Sequence, residues 1–302
     1  MSGLALVAKP AGPTSHDVVD RVRRALGSSR VGHLGTLDPG ATGLLVVVIG
    51  RATRLASFAA GWRKAYDGVI RLGTTTTTDD ATGEALATSD AWRSLGLGRL
   101  EEALAKFRGA YEQRPPAYSA VKVEGERAYR RARRGEAVVL PARPVEVAEL
   151  ELTGLAPPDL HFRATVSGGT YLRSLARDVG EELGCGAHLA VLNRTRVGPF
   201  GLEDAVPPEA VTAGDVLDPA RLVAGLPRRE LDGAERDAVM HGRPVPAGGA
   251  GLGARGSELD AEGPSPEPRA PRPVALFSGG ALVAVAEQVG AVLKPRVVVA
   301  AE

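Results

Sequence analysis

Residues Gly32 to Gly43 make a twelve-residue stretch with four glycines, and it runs without a break into the apolar residues Leu44 to Ile49. The apolar run reads as a buried strand. It is far too short to cross a bilayer, so it belongs inside a globular sheet. Four glycines in one loop also invite a phosphate-binding reading. The spacing of Gly35 and Gly40 resembles the start of a nucleotide-binding loop, but Ala41-Thr42 stands where a lysine and a hydroxyl residue are required. No lysine is placed to reach a β- or γ-phosphate, which argues against an NTPase. The chain has neither a Gly-x-Ser-x-Gly elbow nor a His-Glu-x-x-His helix.

Around this loop the pattern mixes strands and helices. Leu4 to Ala8 reads as a strand. Ser15 is placed to cap a helix whose apolar residues Val18, Val22 and Leu26 recur at helical spacing, with Gly27 ending it. Arg51 to Ala60 reads as a short helix, and Ala65 to Leu72 alternates as a strand does. A polar loop at Thr74 to Gly83, a helix at Leu100 to Phe107, a strand at Tyr118 to Val123 and a basic helix at Glu126 to Arg134 follow. Strands near Val145 to Leu152 and Leu160 to Val166, a helix from about Tyr171 to Leu183 and a strand at Leu189 to Arg196 come next. There is no regular βαβ rhythm, so the expected class is α+β with a mixed, largely antiparallel sheet flanked by helices. Short β-like runs between Val274 and Val299 suggest a small β-rich module. The expected division is a large domain over 1–227 and a module over 228–302, with a flexible Gly/Pro-rich insertion at 248–273.

Overall charge is almost balanced, 37 basic against 36 acidic residues, but it is unevenly spread. Met1 to Gly73 holds ten basic and four acidic residues, and Lys106 to Arg134 holds nine and three. Such asymmetry suits a polyanion binder, although solvated helix faces would look the same. The single cysteine, Cys185, rules out an internal disulfide or a cysteine zinc cage and fits a reducing cytoplasm. Leu4 to Ala8 is closed at once by Lys9-Pro10, so no signal peptide is expected.

Asp38 lies in Asp-Pro-Gly, a turn former in its own right. The rest of the chain gives it another meaning. From Leu4 to about Phe200 the sequence resembles the TruB family of tRNA pseudouridine-55 synthases. The blocks are Lys9-Pro10-x-Gly12-x-Thr14-Ser15, Gly32-His33-x-Gly35-Thr36-Leu37-Asp38-Pro39, Lys64-x-Tyr66, Leu72-Gly73 with the Thr/Asp/Gly loop after it, Tyr118-Ser119-Ala120-x-Lys122-x-x-Gly125 with Ala128-Tyr129, Gly169-Thr170-Tyr171-Leu172-Arg173, and Gly184-Cys185-Gly186-Ala187-His188. Gly40 departs from the family, which usually carries a larger residue there.

The resemblance implies a pseudouridine-synthase fold and a uridine isomerase acting on the T-arm of tRNA. It implies no cofactor, no metal, no membrane and no obligate protein partner. Asp38 would be the catalytic carboxylate, Arg173 its guanidinium partner, and Tyr66 a stacking residue that also takes part in proton transfer. His33, Tyr171 and Leu192 would complete the uridine site. The basic segment Arg130, Arg131, Arg133 and Arg134 would position RNA through its phosphates. The last module resembles a PUA-like β-barrel. Two other readings remain: a guide-RNA-dependent pseudouridine synthase, and a non-enzymatic tRNA-folding chaperone.

Overall fold

The computed structural model describes residues 1–123, 125–248 and 272–299. Its centre is a nine-stranded sheet. The main order is Gly3–Lys9, Thr42–Ile49, Ala187–Val197, Lys64–Leu72, Asp159–Val166, Arg143–Ala156 and Gly109–Gln113. Every pairing is antiparallel except that of Ala187–Val197 with Thr42–Ile49. The expected mixed, largely antiparallel sheet is therefore present. Leu44 to Ile49 is fully buried because the strand lies inside the sheet, with apolar clusters on both faces. On one face Val18 and Val22 of the helix Ser15–Leu26 pack against Val47 and Ile49. On the other, Leu44, Val46 and Val48 meet Leu55 and Phe200.

Several local readings need correction. The first helix is capped by Thr14, not Ser15: Thr14 and Asp17 form a reciprocal capping box. Ser15 is buried and turned inward, to a use described below. Tyr118 to Val123 is not a strand. Only Lys122–Val123 pairs, with Glu126–Arg127, and the basic helix is reduced to Ala128–Arg133. The loop after Leu72 contains a strand, Thr74–Thr76, paired with Ala85–Thr88. The 97–105 helix starts earlier than its apolar pattern, at Leu97.

The final module is a curled five-stranded sheet, half of a barrel, in the order Arg228–Glu230, Arg272–Ser278, Ala281–Val289, Val292–Val298 and Val245–Pro246. Arg272 and Pro273 pair with Gln288 and Glu287, so the expected insertion loses its last two residues to a strand. Of the remainder Gly248 is exposed, and 249–271 lie outside the described residues. The module does not sit apart. Ala275, Phe277, Leu282 and Val285 share one apolar core with Leu4, Leu6 and Leu55 of the large domain. Among the described residues no helix is long and apolar enough to cross a membrane.

Candidate active site

Asp38 sits on the loop that feeds the Thr42–Ile49 strand, and Arg173 on the first turn of the helix Leu172–Glu182. The fold brings them together across 135 residues of chain. Arg173 Nε lies 2.9 Å from Asp38 Oδ2, and its Nη2 donates to Asp38 Oδ1 at 3.4 Å. The guanidinium is almost wholly buried, at 6% exposure. Its remaining donors are fixed on backbone: Nη1 to the Thr78 carbonyl and Nη2 to the Tyr118 carbonyl, both at 2.9 Å. Asp80 Oδ2 stands 3.6 Å from Nε, so two carboxylates share one arginine. Burial pushes the Asp38 carboxyl above the usual aspartate range, Arg173 pulls it back, and Asp80 pushes it up again. One side of the carboxylate stays open to a cavity.

Two cavities meet at Asp38. A small one of about 60 Å³ is lined by Asp38, Gly40, Asp80, Arg173 and Leu192. A wider one of about 450 Å³ is lined by Asp38, Thr36, Tyr118, Ala120, Arg133 and Arg173. A third, of about 510 Å³, holds His33, Tyr66 and Tyr171, and it shares Thr36 and Ala120 with the second. The expected site residues thus fall into adjoining chambers rather than one pocket. Of the basic segment only Arg133 lines them. Arg131 pairs with Glu136, and Arg134 with both Glu126 and Glu136. These acids, which look marginal in the sequence, neutralise part of the cluster.

The loop owes its shape to residues whose roles the sequence pattern does not reveal. Lys9 is 2% exposed and spends all three ammonium protons on carbonyls of Pro10, Pro39 and Ala41, at 2.9, 3.1 and 2.7 Å. Ser15 Oγ donates to the Leu37 carbonyl and accepts from the Leu37 N–H, both at 2.8 Å. Arg194, 1% exposed, donates to the carbonyls of Leu44, Thr36 and Gly35. Gly43 has φ of 106°, and a side chain there would run into the Arg194 backbone. Gly40 is different. It needs no left-handed backbone, and a β-carbon would make ordinary contact with Thr82 at 3.5 Å. The departure from the larger family residue is therefore permitted by the loop rather than required by it.

A second arginine repeats the Arg173 arrangement one turn along the same helix. Arg177 pairs with Asp79 at 3.1 Å and donates to the Arg114 carbonyl at 2.9 Å. Asp79 adopts φ of 60°, which aspartate tolerates better than most residues. Arg173 and Arg177 together tie the 78–80 turn and the 114–118 segment to one helix. The only sequence signals were the paired aspartates and the i, i+4 arginines.

Lys9→Met removes a charged donor from three buried carbonyls. Its expected cost is about 2–4 kcal/mol of stability, with lower turnover, read by denaturant melts beside activity. Wild-type stability would show that the loop is held without it.

The TruB family pseudouridylate synthase N-terminal domain matches residues 23–172, and the tRNA pseudouridylate synthase B C-terminal domain matches 173–224. The chain belongs to the TruB pseudouridylate synthase family. It is 48% identical over 260 residues to tRNA pseudouridine synthase B of Thermobifida fusca, covering 82% of this chain and 88% of that one. It is 43% identical over 310 residues to the protein of that name from an Arthrobacter species, covering 99% and 97%. The fold is similar to a solved Cbf5-Nop10-Gar1 complex, at a TM-score of 0.70 and 25% identity, covering 98% of this chain and 84% of that one.

Proposed function

We propose that the chain isomerises a uridine of tRNA to pseudouridine, with Asp38 as the catalytic carboxylate, and that the target is position 55 in the T-loop. The observation that carries this reading is the Asp38–Arg173 pair at 2.9 Å, open to a cavity, in a chain of this family. The bond between the ribose C1′ and the base N1 breaks, the base turns, and C1′ rejoins at C5. The proton on C5 leaves to solvent and N1 gains one, so the atoms balance without a redox partner or cofactor. An ionised Asp38 can attack as a nucleophile or take a proton. Arg173 holds the carboxylate through a fork that fixes its direction. The target nucleotide must leave its stack to reach Asp38. On this reading Tyr66 and Tyr171, which line the adjoining chamber, would pack against the base, and His33 would fill the vacated space.

On the same reading, residues 1–227 are the catalytic domain, and the family match ending at 224 supports that boundary. The chain acts alone in the cytoplasm. Relatives named tRNA pseudouridine synthase B at 43–48% identity favour this over a guide-dependent enzyme. The decisive experiment is release of tritium from C5 of uridine in an unmodified tRNA transcript, using the purified chain alone. Release at a single T-loop uridine supports the proposal, and no release sinks it.

The basic segment gives a second expectation. Arg130 and Arg134 lie one turn apart, but Arg134 is already matched by two glutamates. Arg130→Gln/Arg133→Gln should therefore flatten the slope of log affinity against log salt, by up to about one unit per lost phosphate contact. Arg134→Gln should do less. An unchanged slope in the double variant would return the segment to a solvated face.

A further inference from the structure

The chamber that holds Tyr66 has a charge balance of its own. Lys64, Arg194 and His33 line it, and no carboxylate does. Among the described residues, neither Lys64 nor Arg194 has an acidic partner within ion-pair distance. Arg194 is committed to backbone carbonyls of the loop. Lys64 is not. Its ammonium donates to the Trp62 carbonyl at 2.9 Å, and an ammonium has three donors. The buried His33 Nδ1 has no hydrogen-bond partner. Two cations line a space of about 510 Å³, with a buried polar atom that lacks a partner beside it.

An uncompensated, partly buried cation is costly, and it is ordinarily matched by an anion. Resting on the reading above, which brings a polyanion into this cleft, we propose that the chamber seats one phosphodiester of the substrate strand beside the extruded nucleotide, with Lys64 as its ionic anchor. Register supports the placement. Lys64 and Tyr66 are two residues apart on one strand, so their side chains leave the same face, about 6.6 Å apart along it. One nucleotide can then lay its base toward Tyr66 and its linkage toward Lys64. Thr36 and Ala120 line both this chamber and the one at Asp38, so the two adjoin. Burial, with the Arg194 charge next to it, lowers Lys64 to about 8, and an adjacent phosphate would favour its charged form. Arg194 adds field without giving up the loop.

The test uses a T-arm hairpin RNA with one phosphate replaced by an uncharged methylphosphonate, either 5′ or 3′ to the target uridine. Binding is measured with wild type, Lys64→Gln and Lys64→Arg, after thermal melts establish that each is folded. Wild type should lose about tenfold in affinity at one of the two linkages, a charge-assisted contact being at stake. Lys64→Gln should lose a similar factor on the all-phosphate hairpin and nothing further at that linkage, and Lys64→Arg should recover most of the loss. The linkage that responds identifies which phosphate is held. Equal penalties in wild type and Lys64→Gln at both linkages, or wild-type affinity in Lys64→Gln, would overturn the proposal. Tritium release from the all-phosphate hairpin by wild type reports separately on the proposed function, so the two can fail independently.

Discussion

Asp38→Asn should leave a folded chain that binds tRNA and fails to turn it over, a loss of at least about 10⁴-fold. Asparagine keeps the turn chemistry of Asp-Pro-Gly and removes only the anion. The structure makes this a clean test, because Lys9, Ser15 and Arg194 hold the loop by its backbone and not by the Asp38 side chain. Thermal stability checks it further. The folded Asp38 carboxyl is raised above its unfolded value, so its favourable contribution is complete below the unfolded pKa and lost as pH rises through the folded one. Asparagine also leaves the buried Arg173 with Asp80, at 3.6 Å, as its anionic neighbour, so thermal melts of the variant accompany the activity assay. The acid limb of wild-type turnover should have its midpoint above the ordinary aspartate value of about 4. Turnover by Asp38→Asn within about tenfold of wild type would remove Asp38 from the chemistry.

Arg173→Lys should lower turnover by about 10²-fold while changing tRNA affinity much less. The guanidinium makes four separate contacts, to Asp38, Asp80 and the carbonyls of Thr78 and Tyr118. Lysine keeps the charge and loses the planar fork, so the carboxylate loses its direction and the two loops lose a common tie. The charge and the geometry separate by pH. Arg173 lowers the Asp38 pKa, so Arg173→Gln should move the acid limb of turnover upward, whereas Arg173→Lys should move it little. Both variants need thermal melts alongside, given how deeply the side chain is buried. Wild-type turnover in the lysine variant would mean that Arg173 does not orient the carboxylate.

The sequence carried the pattern-based parts of this molecule well. The alternation of Ala65 to Leu72 and the apolar run from Leu44 to Ile49 report burial directly, and both are strands of the central sheet. Asp38 and Arg173 were legible only as members of ordered blocks, since an aspartate in a turn and an arginine on a helix have ordinary explanations. Lys9, Ser15 and Arg194 escaped a functional reading because they act on backbone carbonyls and amides. Such bonds impose no periodicity and no partner type on the chain. Ser15 was misread because a serine at a helix start is usually a cap, and here Thr14 takes that place one residue earlier. Asp80 was hidden in a polar loop that alone suggests only solvent. In the basic segment the pairing glutamates, Glu126 and Glu136, lie outside the run itself, so the sequence shows its charge more plainly than its partners.

The clamp on the loop also orders events in time. Gly35 and Thr36 are fastened by Arg194, 159 and 158 positions downstream. During synthesis from the N-terminus, the segment bearing Asp38 emerges long before the strand that fixes it, and before the helix that supplies Arg173. A nascent chain stopped short of residue 194 already contains the carboxylate but lacks the shape that aims it. The surroundings of Asp38 are thus complete only once the chain has extended past residue 194 and the sheet has closed around the loop.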